Sequence, residues 1–127
     1  MRFAKTILYV EDAEQSVRFM ERAFGLTARV AMGADYGELD AGDTALAFAS
    51  YSTGERHLPD GLAAGPSAAM SCEVALTVDD VPAAFRQAVA AGATPLQEPE
   101  EMPWGQVVSH LRCPDGTFVD LSSPAAS

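Results

Sequence analysis

Tyr9-Val10-Glu11-Asp12 and Leu76-Thr77-Val78-Asp79-Asp80 decide how this chain is read. Each closes an alternating apolar run and opens a helix-like stretch, the first ending at Ala23-Phe24-Gly25 and the second at Ala90-Ala91-Gly92. A second echo follows each helix: Gly42-Asp43-Thr44-Ala45-Leu46-Ala47-Phe48-Ala49-Ser50 runs parallel in pattern to Asp115-Gly116-Thr117-Phe118-Val119-Asp120-Leu121-Ser122-Ser123. The same signals in the same order indicate two tandem copies of one small unit, and paired units are expected to enclose a cavity.

Residues 4–10 alternate, with Ala4, Thr6, Leu8 and Val10 on one face and Lys5, Ile7 and Tyr9 on the other. Asp12 is placed to cap the following helix with Gln15 as capping-box partner, Val17, Met20 and Phe24 form its buried face, and Gly25 ends it. Strands are expected near 26–32, 34–40 and 43–50. From Ser52 to Pro66 Gly, Pro, Ser and charge replace any period, which marks a linker. The second copy repeats the plan. It has a strand near 71–78, a helix from Asp80 with Pro82 in its first turn and Phe85 and Val89 buried, a stop at Gly92, and strands near 93–97, 105–112 and 117–122. Pro114-Asp115-Gly116 is the turn between the last two. The fold class is α+β, with two βαβββ units building a cupped mixed sheet.

With 127 residues and 48% apolar content the chain supplies the core of one domain, divided into unit one (about 1–51), a linker (about 52–69) and unit two (about 70–124). No apolar run reaches the roughly 20 residues a bilayer requires, and Met1-Arg2-Phe3-Ala4-Lys5 leads straight into a strand pattern without the apolar core of a signal peptide. Cys72 and Cys113 lack disulfide or metal spacing. The expected compartment is the cytoplasm. A net charge of −10 repels phosphate backbones and anionic lipid, which argues against nucleic acid and membrane partners and for a neutral or cationic small molecule.

The repeated unit, Tyr9-Val10-Glu11-Asp12 with Ser16 and Ala23-Phe24-Gly25-Leu26, and the Cys113-Pro114-Asp115-Gly116 turn resemble the vicinal oxygen chelate superfamily, which includes glyoxalase I, extradiol dioxygenases, and fosfomycin and bleomycin resistance proteins. In its metal-using members four inward positions supply His and Glu ligands, and the resemblance places these at Lys5, Ala47, Glu73 and Asp120. Lysine has no lone pair to donate and alanine no donor atom, so a metal centre of that pattern is not expected. A different set, Glu73, His110 and Asp120, offers three donors, since His110 should lie opposite Asp120. Against it, Lys5 is expected to reach the same space and pair with Glu73 and Asp120.

Glu100-Glu101-Met102-Pro103-Trp104-Gly105 with Leu111-Arg112 resembles the bleomycin resistance proteins more specifically, which implies a metal-free dimer that sequesters a cationic antibiotic. Trp104 beside Glu98, Glu100 and Glu101 suits stacking on aromatic rings and attraction of positive charge. Ala45, Ala47 and Ala49 on one strand face leave room for a cavity, which Tyr36, Glu38 and Asp40 would edge. The expected ligand contacts are Lys5, Ile7, Tyr9, Ala47, Glu73, Trp104, Val108, His110 and Asp120. The reading is a metal-independent small-molecule-binding homodimer without cofactor. The alternatives are a glyoxalase- or dioxygenase-type enzyme with an altered metal site, or a metal-free isomerase using His110 and Asp120. His57 falls in the linker, and Ser109 faces away from His110, which excludes a serine nucleophile there.

Overall fold

The computed structural model describes residues 1–58, 60 and 70–125. In chain order the elements are β1 (Lys5–Val10), α1 (Ala13–Phe24), β2 (Thr27–Met32), β3 (Tyr36–Asp40), β4 (Ala45–Ser50), α2 (Tyr51–His57), β5 (Val74–Thr77), α3 (Val81–Ala91), β6 (Thr94–Glu101), β7 (Val107–Arg112) and β8 (Phe118–Ser122). The chain is α+β and folds as two compact units, Met1–Ser67 and Ala68–Ser127. Each has its own four-stranded mixed sheet, ordered β1-β4-β3-β2 in the first and β5-β8-β7-β6 in the second. In both, the first strand runs parallel to the last and the remaining neighbours are antiparallel.

Local chemistry sets the helix ends. One oxygen of Asp12 accepts the amides of Glu14 and Gln15 at 3.0 and 3.2 Å, satisfying donors that no earlier turn can reach. Gly25, at φ 70°, closes α1 through a backbone bond to Glu21. Asp80 caps α3 by accepting the amide of Ala83, and Gly92 ends it. The α1 core face carries Ser16, Val17, Phe19, Met20 and Ala23, whereas Phe24 is only half-buried and meets Phe19 edge to face.

Two expectations are corrected. The linker begins later than its composition implies, because Tyr51–His57 forms α2, whose first turn is capped by the Ser50 hydroxyl accepting the Thr53 amide. That hydroxyl also donates to Asp35 of the β2–β3 turn, so a tertiary anchor starts a helix over residues of poor propensity. His57 is therefore in the last turn of α2; residues 59 and 61–69 of the expected linker lie outside the described residues. Strand β6 runs to Glu101, beyond the expected 97, because irregularities between Pro95 and Gln97 and between Gln97 and Glu100 absorb the prolines without ending the pairing to β7. Among the described residues no helix is long and apolar enough to cross a membrane.

Gly37 on β3 sits under α1. A Cβ there would stand 2.8 Å from Val17 Cγ2 and 3.4 Å from the Val30 carbonyl oxygen. Gly37→Ala is expected to destabilise the protein by about 1–2 kcal/mol, since the valine would have to leave its packed position. Urea denaturation checks this; an unchanged midpoint would show that α1 can lift freely.

Candidate functional site

The second sheet carries a pocket of about 430 Å³, lined among others by Thr77, Gln97, Met102, Trp104, Val108, His110, Asp120 and Ser122. That volume lies within the range of small-molecule sites. Strand pairing builds its floor: Ala75 pairs with Asp120 and Asp120 with His110, so all three side chains share one face. Glu73, just before β5, reaches the same point.

His110 Nε2 lies 3.5 Å from Asp120 Oδ2 and 3.7 Å from Glu73 Oε2. Its Nδ1 is 2.6 Å from the side-chain oxygen of Gln97. The Gln97 amide nitrogen in turn donates to Glu100 at 3.3 Å. An ionised carboxylate can only accept, so Glu100 turns the amide and presents its oxygen to His110. Asp120 accepts a further bond from the Ser122 hydroxyl through its other oxygen. At the far wall Trp104 is 61% exposed. Its indole N–H donates to Gln106 at 3.0 Å, and Gln106 is anchored on the Ser123 carbonyl at 2.8 Å. A tight turn closed by Met102, Gly105 and Gln106 holds this segment, with Gly105 at φ 92°.

The expected contacts divide between the units. Trp104, Val108, His110 and Asp120 line the second-unit pocket, with Glu73 within reach of His110. Lys5, Ile7, Tyr9 and Ala47 belong to the first unit. There the expected pairing of Lys5 is corrected: its ammonium donates to Glu38 Oε2 at 2.7 Å and to the Tyr36 hydroxyl at 2.6 Å. Tyr36 also donates to Glu38, and Arg29 Nε donates to the other Glu38 oxygen at 2.9 Å. Glu38 is thus a buried anchor of this network, its carboxyl held at about 2 by the bonds from Lys5, Tyr36 and Arg29. The bonds that Lys5 makes to Glu38 and to Tyr36 raise its ammonium, Glu38 contributing most. The reason for the partner choice is lateral. Ile7 pairs with Ala47 and Ala47 with Glu38, so Lys5 bridges across a strand whose small side chains leave it room. Ala45, Ala47 and Ala49 are all buried.

The registers make the two units directly comparable. Ile7–Ala47–Glu38 corresponds to Ala75–Asp120–His110, and Lys5, two residues before Ile7, corresponds to Glu73. Unit one therefore carries its own cation where unit two presents acceptors converging within 4.8 Å of one another. Two carboxylates brought to one point attract positive charge.

A divalent metal is one way to supply it. Two carboxylates and an imidazole are suitable donors, and their ligand atoms lie within 4.8 Å of one another. Gln97 would be the outer partner of His110 if that histidine held a metal. The three residues fit a metal, whereas the first-unit positions, Lys5 and Ala47, do not.

The fold and this arrangement define a class. The chain belongs to the Glyoxalase/Bleomycin resistance protein/Dioxygenase superfamily, whose family profile matches residues 2–121. Among solved structures, a glyoxalase-related enzyme from Fulvimarina pelagi is 21% identical at a TM-score of 0.83, over 98% of this chain and 88% of that one. A glyoxalase/bleomycin resistance protein/dioxygenase family enzyme from Burkholderia phytofirmans PsJN is 18% identical at 0.84, over 94% and 96%. TioX from Micromonospora sp. ML1 is 22% identical at 0.71, over 97% and 98%. At these identities the likeness concerns the fold. Comparison with curated protein sequences finds no match.

Proposed function

We propose that the second-unit pocket binds a small aromatic molecule bearing a positively charged group, and that this capture, of the bleomycin-resistance type, is what the protein does. The observation that carries the reading is that Glu73 converges with His110 and Asp120, which line a 430 Å³ pocket that also presents the exposed Trp104. The acceptors attract the charge and the indole stacks on the ring. The first unit supports this, since it satisfies the equivalent arrangement with a lysine ammonium.

Benzylammonium and its uncharged counterpart benzyl alcohol are the probes, followed by calorimetry and by Trp104 fluorescence. Benzylammonium is expected to bind more tightly, and Trp104→Ala to weaken both probes about 3–10-fold, the worth of one aromatic contact. Equal affinity for both probes, or indifference to Trp104, would sink the reading.

The donor set favours a second reading, in which Glu73, His110 and Asp120 hold a divalent cation. Such an ion would supply Lewis-acid polarisation of a substrate oxygen beside Trp104. Titration of chelator-treated protein with Mn²⁺ and Zn²⁺ separates the two: stoichiometric binding that Asp120→Asn abolishes selects the metal.

A further inference from the structure

We infer that Gln97 is a positioning residue, which fixes the neutral imidazole of His110 as the Nδ1–H tautomer and so makes the pocket wall at Nε2 a hydrogen-bond acceptor. A free imidazole exchanges its proton between the two nitrogens, and the pocket would then alternate between donor and acceptor. Here three facts act together. The Gln97 oxygen lies 2.6 Å from Nδ1. The Gln97 amide cannot turn over without setting its oxygen against the Glu100 carboxylate, to which its nitrogen donates at 3.3 Å. And the acceptors on the Nε2 side, Asp120 and Glu73, stand farther off, at 3.5 and 3.7 Å.

The device depends on a strand irregularity. Gln97 pairs with His110 and Glu100 with Val108, so β6 spends three steps where β7 spends two. In a regular strand residues three apart face opposite sides. The bulge returns Glu100 to the face of Gln97 and His110, where it can hold the amide. The consequence for ligands rests on the reading of the pocket proposed above: an acceptor-only floor selects molecules that donate N–H bonds or carry positive charge.

The tautomer is read by long-range ¹H–¹⁵N spectroscopy of the imidazole nitrogens without ligand, at a pH where the ring is neutral, with exposed His57 as the internal reference. In the unaltered protein, Nδ1 of His110 is expected to show the signature of a protonated nitrogen and Nε2 that of an unprotonated one. In Gln97→Leu the proton is expected to move to Nε2, where it can donate to Asp120 and Glu73. Glu100→Leu, which frees the Gln97 amide to turn over, is expected to leave both tautomers populated.

Benzylammonium affinity is expected to fall about 3–10-fold in Gln97→Leu, the range of one hydrogen bond. An Nε2–H tautomer in the unaltered protein, or an unchanged spectrum in Gln97→Leu, overturns the inference. Correct tautomer behaviour without any benzylammonium binding overturns the ligand reading instead and leaves the role of Gln97 standing.

Discussion

Glu38→Gln is expected to lower the stability of the protein by about 2 kcal/mol at neutral pH, and the deficit is expected to vanish in acid. Glu38 is buried, yet both its oxygens are engaged: Lys5 and Tyr36 donate to one and Arg29 to the other. Its carboxyl is held at about 2 from an ordinary 4.5, with the Lys5 bond the largest cause. A carboxylate depressed on folding contributes stability that is fully present above its unfolded value and is lost as pH falls through its folded value. Fully converted, the shift corresponds to about 3 kcal/mol. Lys5 and Arg29 are 34% and 46% exposed, so solvent screens part of the attraction and about 2 kcal/mol remains. Urea denaturation of both proteins at intervals from pH 7 to pH 2.5 checks the sign. The gap should be constant from pH 7 to about 5 and close progressively below about 4.5. A gap independent of pH would mean that Glu38 acts through its shape alone.

Asp120→Asn is expected to weaken benzylammonium binding about 10–100-fold while leaving benzyl alcohol within about 3-fold. The substitution preserves volume and strand pairing with Ala75 and His110 but replaces a charged acceptor by a neutral amide. Hydrogen bonds to charged groups contribute about 1.5–3 kcal/mol, which sets that range. Glu73→Gln should act in the same direction but less, since Glu73 is 48% exposed against 23% for Asp120. Calorimetry with the two probes on the unaltered protein and both variants is the measurement. A parallel loss for both probes would point to a collapsed pocket, and no loss for benzylammonium would remove the acceptor cluster from ligand recognition.

Legibility followed the range of the physics. The Asp12 and Asp80 caps and the Gly25 and Gly92 stops were readable because capping acts within one turn of helix. His110 opposite Asp120 was readable because the Pro114-Asp115-Gly116 turn sets the β7–β8 register. Gln97 escaped notice. Its position inside a proline-rich, irregular stretch hides which face it takes, and the partnership with Glu100 breaks the alternation by which strand residues are grouped. The helix over Tyr51–His57 escaped for a related reason, since its start is held by Asp35, far away in sequence.

By itself the sequence determined the tandem βαβββ plan, the family likeness, and the presence of Glu73, His110, Asp120 and Trp104 as groups capable of chemistry, because periodicity, caps and turns are local properties. Only the tertiary structure decided that Lys5 answers to Glu38, and that Glu100 holds Gln97 against His110. Both choices follow from which strands lie side by side and where a bulge shifts their register, and lateral neighbours are set by packing of the whole sheet, not by order along the chain.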